Sequence, residues 1–191
     1  MVKIHFLSDT VSNIIVLRKQ MNHKSPRELL SYLTENHIEY TLFTHPPLHT
    51  VEDALRERGH LGGSYVKNLY LKDRKGKMAL VVCLNIREVN LQRLRRAIGY
   101  KRMSFASEER LWNDLGVRPG SVSPLALINA SSDTLKFFAD LSLRKEELTN
   151  LHPLTNEMTI QLKCSDWVKL CHSWGFEIEW IDFDTLPEEE N

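Results

Sequence analysis

Gly62-Gly63-Ser64-Tyr65-Val66-Lys67-Asn68-Leu69-Tyr70-Leu71-Lys72-Asp73 sets a lysine and an asparagine inside what otherwise reads as a strand. Side chains alternate faces along an extended chain, so Lys67 shares a face with Leu69 and Leu71. That apolar face should look inward, and a lysine on it must snorkel, pair, or meet a bound anion. The turn Asp73-Arg74-Lys75-Gly76 then leads into Met78 to Leu84, an almost continuously apolar run. The two arms predict a hairpin, with the second arm a central strand covered on both faces.

Helical signals surround this hairpin. Ser25-Pro26-Arg27-Glu28 is a capping box with proline at the first helical position, followed by Leu29, Leu30 and Leu33. Tyr40 to Thr44 reads as a strand ended by Pro46-Pro47. Thr50 caps a second helix that Gly59 closes. Asn90 begins a helix through Leu91, Leu94 and Ile98, and Gly99 ends it. Ser107 caps another, with Gly116 as its stop. Leu125 to Asn129, Leu135 to Ala139, Met158 to Leu162 and Phe176 to Phe183 read as strands, and Ser165 to Gly175 as a helix. Helices interleaved with hairpins predict an α/β (α+β) sandwich around a mixed sheet. One domain is expected over residues 25–186, with a poorly ordered extension at 1–24 and an acidic tail at 187–191.

Composition is that of a soluble globule, 42% hydrophobic and 26% charged, with no apolar stretch long enough for a membrane span and no signal peptide. Cys83, Cys164 and Cys171 are too few and too odd in number for a disulfide framework, which fits a reducing, cytoplasmic setting. The net charge is zero, but it is unevenly spread. Eleven Lys/Arg face two acids from Lys67 to Arg102, and eight acids face one lysine from Asp166 onward. Such a middle is either a footprint for a polyanion, with Arg95, Arg96, Lys101 and Arg102 as candidate contacts, or a solvated helix face beside a hairpin tip.

Several chemistries lack their residues. His45 and His49 are four apart, but the prolines between them prevent a helical metal-binding face, so no metal is expected. Gly120-Ser121-Val122-Ser123-Pro124 lacks the nucleophile-elbow pattern, and no P-loop or dinucleotide fingerprint occurs. An enzyme built from this chain would work without a covalent serine intermediate, metal or cofactor.

The ordered set of Thr44-His45-Pro46-Pro47, Tyr65 to Asp73 with its turn, Arg102 to Ala106, Gly116 to Pro124, Leu127-Ile128-Asn129, Leu151-His152-Pro153-Leu154 and Asn156 resembles the freestanding prolyl-tRNA editing domains. These YbaK-like deacylases hydrolyse mischarged alanyl-tRNA(Pro) and are related to the editing domain inserted in bacterial prolyl-tRNA synthetases. The resemblance runs from roughly Pro26 to Gly175. It implies a curved mixed sheet, partly barrel-like, with helices outside. It also implies ester hydrolysis on the acceptor end of tRNA(Pro), in company with prolyl-tRNA synthetase. The substrate's own neighbouring ribose hydroxyl would help activate the water.

The resemblance assigns catalytic roles to Lys67 and His152. It assigns substrate binding to Asn68, Gly120, Ser121, Ser123, Pro124, Asn129 and His45. Read without it, Lys67 is a snorkelling strand lysine, the Gly120 loop an ordinary helix-to-strand turn, and His152 a structural histidine. Ala130 stands where the family commonly has aspartate, and Asn90-Leu91-Gln92 where it often has Asp-Leu-Lys. Alternatives to alanyl-ester hydrolysis are a non-catalytic module that binds a tRNA end or a synthetase, and a deacylase for cysteinyl-tRNA(Pro) or another small aminoacyl-tRNA.

Overall fold

Ser25 and Glu28 close the expected capping box, and α1 (Pro26–Glu35) buries Leu29 and Leu33. The computed structural model describes residues 23–48, 51–59 and 61–187. The expected cap Thr50, the histidines His49 and His60, residues 1–22 and residues 188–191 lie outside the described residues. After α1 come β1 (Tyr40–Thr44), α2 (Val51–Arg58) and the hairpin of β2 (Ser64–Asp73) and β3 (Met78–Leu84). Asp73 makes the turn: one carboxylate oxygen accepts from the Lys75 and Lys77 amides at 2.7 and 2.8 Å, with Gly76 at φ +79°.

The remaining elements are α3 (Leu91–Ala97), β4 (Met103–Phe105), α4 (Glu108–Leu115), β5 (Leu135–Asp140), β6 (Leu148–Leu151), β7 (Met158–Lys163), α5 (Cys164–Ser173) and β8 (Ile178–Ile181). Asn90 and Ser107 cap α3 and α4 as read from sequence, and Gly116 ends α4 in the left-handed region. The sheet runs β1-β7-β6-β2-β3-β5-β8, with β4 off this path against β2. It is mixed: β2 is parallel to β6, and β3, β5 and β8 are parallel, while the other pairs are antiparallel.

Two segments depart from the sequence reading. Leu125 to Asn129 is not a strand but part of a 3-10 helix, Pro124–Asn129. An apolar run of this length is ambiguous, and the Ser-Pro before it decides: the Ser123 hydroxyl accepts from the Leu125 amide at 3.1 Å, and Pro124 takes the first helical position. The last strand is shorter than Phe176 to Phe183. The Phe176 amide is spent on the Cys171 carbonyl at 2.9 Å, and Asp182 turns the chain by accepting from the Asp184 amide. β4 and β6, three and four residues long, gave no period to read. His23 and Lys24, expected to be part of a loose extension, are tied in: Lys24 donates its amide to Asn129 at 2.7 Å, and His23 meets the Trp112 ring edge-on.

Register places the two faces of the sheet. Tyr70, Leu80, Val82, Phe137, Leu151, Ile160 and Leu162 pack one way, against α1, α4 and α5. Leu71, Ala79, Val81, Cys83, Phe138 and Ile181 pack the other way, with Leu94 of α3 and the C-terminal Phe183 and Leu186. The central β3 is thus buried on both faces, as its apolar run predicts. This second apolar layer covers β3, β5, β8 and the Leu69–Leu71 end of β2. Over β6 and β7 the same face is polar.

Candidate active site

Directly paired residues share a face, so Thr41, Gln161, Asn150 and Tyr65 form one row across β1, β7, β6 and β2. Hydrogen bonds bear this out: Gln161 donates to Asn150 at 3.2 Å, and both side chains donate to the Gly62 carbonyl. Lys67 lies two residues past Tyr65 on this face, opposite Cys83. His152 lies two residues past Asn150. The parallel register of Tyr65 with Asn150 therefore carries both strands in the same direction toward Lys67 and His152.

The sheet opens between these two points. β2 pairs with β6 only at Ser64 and Tyr65, and with β4 only from Leu71 to Asp73. Val66 to Leu69 have a strand partner on the β3 side alone. Lys67 lies on one face of this open stretch and Asn68 on the other. The Asn68 side-chain oxygen is buried with no hydrogen-bond partner, an expensive state unless a ligand completes it.

Lys67 donates to the Arg87 carbonyl at 2.6 Å, and among the described residues no carboxylate pairs with its ammonium. The residue that offers that carbonyl is locked. Arg87 reaches the fully buried Asp140 at 3.0 Å, Ser142 at 2.6 Å, and Asp184.

Arg58, at the end of α2, carries no sequence motif, and sequence reasoning misses it. Its guanidinium lies over the Tyr65 ring at 5.3 Å, and its Nη1 is 3.4 Å from both His152 Nε2 and Thr159 Oγ1. Its Nε is buried without a partner, and burial lowers its pKa. Among the described residues no carboxylate neutralises it. The Tyr65 hydroxyl donates to the Arg58 and Leu61 carbonyls, pinning the helix end above β2.

The histidines are oriented by carbonyls. His152 Nδ1 sits 2.8 Å from the Met158 carbonyl, which can only accept, so that nitrogen carries the proton and Nε2 keeps its lone pair. Burial, and then the neighbouring Arg58 and His45, hold its pKa down to about 4, so it is neutral near pH 7. Its backbone is fixed by Leu154, whose amide closes on the His152 carbonyl at 3.0 Å with φ at +64°, a costly conformation for leucine. By the same logic His45 donates from Nδ1 to the Pro46 carbonyl at 2.9 Å and accepts the Thr159 hydroxyl at Nε2, also 2.9 Å. The two imidazoles meet edge-on at 6.2 Å.

The Gly120 loop reaches this turn from the far side. Gly120 has φ +85°, and a Cβ there would lie 3.5 Å from Asn156 Nδ2. Asn156 donates to the Leu48 carbonyl at 3.4 Å, which joins the loop to the segment after His45. Glycine is needed at this point for its backbone conformation rather than for space. Ser121 is buried beside it. Ser123 and Pro124 lie deeper, with the Ser123 hydroxyl spent as a helix cap. Asn129 is spent too, holding the Lys24 amide and the Leu115 carbonyl. Ser123, Pro124 and Asn129 therefore shape the loop from beneath. Among the described residues, no three His, Cys, Asp or Glu side chains converge as a metal site, and no helix is long and apolar enough to cross a membrane.

A family model described as an aminoacyl-tRNA editing domain matches residues 45–170. The chain is 35% identical over 163 residues to a prolyl-tRNA synthetase associated domain-containing protein 1 of Xenopus laevis, covering 83% of this chain and 96% of that protein. It is 31% identical over 156 residues to the prolyl-tRNA editing protein ProX of Acetoanaerobium sticklandii, covering 81% and 95%. The fold matches a crystal structure of a candidate trans-editing enzyme for prolyl tRNA synthetase with a TM-score of 0.61, at 17% identity, over 83% of this chain and 98% of that one.

Proposed function

This chain belongs to the aminoacyl-tRNA editing domain family, and we propose that it is a trans-editing deacylase. It cleaves the ester of mischarged tRNA(Pro), with alanine as the amino acid removed, in the cytoplasm beside prolyl-tRNA synthetase. The observation that carries this reading is the open stretch of β2. Lys67 and Arg58, cations with no carboxylate partner among the described residues, lie on one face of the sheet, Arg58 beside a neutral His152, and Asn68 offers an unsatisfied acceptor. An aminoacyl-tRNA end brings the complements, a phosphate for the cations and an α-ammonium for the Asn68 oxygen.

In this reading Lys67 and Arg58 hold the terminal phosphate and the developing oxyanion. His152 Nε2 positions the water or the ribose, His45 packs beside it and holds the Thr159 hydroxyl, and the Gly120–Ser121 backbone bounds the amino-acid side chain. A tight wall there favours a small residue, which suits a second sieve behind a synthetase that separates similar side chains only modestly. The water oxygen bonds to the ester carbonyl carbon and the ester C–O bond breaks. The departing ribose oxygen takes up a proton, leaving free amino acid and uncharged tRNA. The neighbouring ribose hydroxyl relays the proton from water. Arg95, Arg96, Lys101 and Arg102 contact phosphates further along the tRNA.

The test is single-turnover hydrolysis of alanyl-tRNA(Pro) alongside cysteinyl- and prolyl-tRNA(Pro), each also prepared with deoxyribose at the neighbouring hydroxyl. Alanyl ester should be cleaved fastest, prolyl ester spared, and the deoxy substrate bound but cleaved far more slowly. A protein that binds every substrate and cleaves none is a binding module, and the reading fails.

A further inference from the structure

Beyond the site just described, the structure holds an exposed aromatic with no assigned role, beside a cationic groove in which Arg74, Lys75 and Lys77 join Lys101 and Arg102. Phe105 is 57% exposed, the most exposed aromatic side chain among the large exposed hydrophobics. It ends β4, directly opposite Leu71, and so lies on the Lys67–Leu69–Leu71 face of β2. It stands where β4 stops and the open stretch of β2 begins. Four residues of strand, about 13 Å, separate its partner Leu71 from Lys67. That is within reach of the nucleotides next to a reacting 3′ end.

Beyond Phe105, the β2–β3 turn and the loop before β4 enclose a groove of ≈ 510 Å³. Arg74, Lys75, Lys77, Lys101 and Arg102 line it, with Asp73 their only acidic companion. One oxygen of the Asp73 carboxylate accepts two amides of its own turn, and its single charge stands against five cations. No carboxylate closes an ion pair on any of the five cations among the described residues. The groove is also braced. Tyr100 donates to the Met78 carbonyl at 3.2 Å, and Arg95 donates to the Lys101 carbonyl at 3.0 Å, which fixes the loop that presents Lys101 and Arg102. Like charges gathered on a held loop and a tight turn repel one another, and a polyanion relieves that repulsion.

We infer that Phe105 and this groove form a binding subsite for the single-stranded end of a nucleic acid. One base stacks on Phe105, and the phosphates that follow lie between Arg74–Lys77 and Lys101–Arg102. Stacking on a lone exposed ring is sequence-tolerant, so the subsite contributes affinity and register rather than base identity. The inference rests on the proposed deacylase reading for one point, that the strand is the acceptor end of tRNA running from the groove toward Lys67.

The experiment measures binding of uncharged tRNA(Pro), and of a short single-stranded RNA ending in CCA, across a salt series. The proteins are the full chain, Phe105→Ala, Phe105→Trp, and the triple variant Lys75→Gln/Lys77→Gln/Lys101→Gln. Phe105→Ala should weaken both probes roughly ten- to a hundredfold, and Phe105→Trp should restore them. The triple variant should flatten the salt slope by about one unit for each phosphate it no longer neutralises. Thermal melting checks that the exposed substitutions leave the fold intact. Unchanged affinity in Phe105→Ala, or an unchanged slope in the triple variant, overturns the subsite. Binding to uncharged RNA needs no hydrolysis. A wild type that cleaves alanyl esters while Phe105 is dispensable loses only the subsite, and one that binds through Phe105 but cleaves nothing loses only the deacylase.

Discussion

Arg87 and Arg58 are guanidinium groups on the same face of one sheet, and the fold treats them oppositely. Arg87 is closed off: the fully buried Asp140, Asp184 and Ser142 occupy it, and it gives the site only its backbone carbonyl, which receives Lys67. Arg58 has a ring beneath it, a neutral histidine and a threonine beside it, and a buried Nε with nothing to bond. A cation neutralised on every side is part of the scaffold. A cation drawn partly out of water without an anion weakens the fold unless a ligand supplies one. The contrast separates the half of the sheet that holds the molecule together from the half we propose for the chemistry.

The largest effect falls on the scaffold side. Arg87→Ala leaves Asp140 buried and unpaired, and breaking a buried pair from one side costs about 3–5 kcal/mol. Denaturant unfolding should show that loss, with activity falling only as far as the folded fraction falls, because the backbone carbonyl that receives Lys67 survives the substitution. Arg87→Ala combined with Asp140→Asn should recover part of the stability, because no uncompensated charge remains. Full stability in Arg87→Ala alone would erase the distinction between the two arginines.

The other side should behave in reverse. Arg58→Gln and Lys67→Ala each remove an unneutralised cation, so melting should stay level or rise. Single-turnover deacylation should fall about 10²–10³-fold for each, the scale of removing one electrostatic interaction with a transition state. Activity that falls only in step with stability would return both residues to the structural reading.

How far the sequence reached follows the same division. The hairpin, the capped helices and the central strand were legible because each rests on local chemistry: Ser25 with Glu28, Asn90, Ser107, Asp73 in its turn, an apolar run for β3. Lys67 was visible as a lysine on an apolar face. Arg58 was not, because nothing in Arg56-Glu57-Arg58 distinguishes a cation paired with its neighbour, as Arg56 is, from one turned over Tyr65. The gap in β2 pairing is a property of two distant strands that stop short, and no local pattern encodes it. The tie Asn129 makes was equally hidden: nothing local shows that its amide holds the Lys24 backbone and the Leu115 carbonyl, 105 and 14 residues away.

The smallest effect per measurement is also the one that ties the two arginine environments to pH. Burial, with Arg58 and His45 adding to it, holds His152 near a pKa of about 4, against an ordinary value of about 6.5. Between those values the unfolded chain binds a proton that the folded chain refuses, so stability rises with pH across this window and is lost as pH falls toward 4. The slope is at most about 1.4 kcal/mol per pH unit from this one group. His152→Gln should reduce the slope of unfolding free energy with pH from pH 4 to 6.5 while leaving the slope above pH 7 unchanged. Arg58→Gln should act halfway: with one repelling charge gone, the His152 pKa climbs and the window narrows from its acid side, while burial keeps part of the slope. NMR titration of the His152 ring in wild type and Arg58→Gln reads this directly. An identical midpoint in the two proteins would mean that the guanidinium 3.4 Å from Nε2 is not felt by the imidazole, and Arg58 could not then be the unneutralised cation on which the contrast with Arg87 depends.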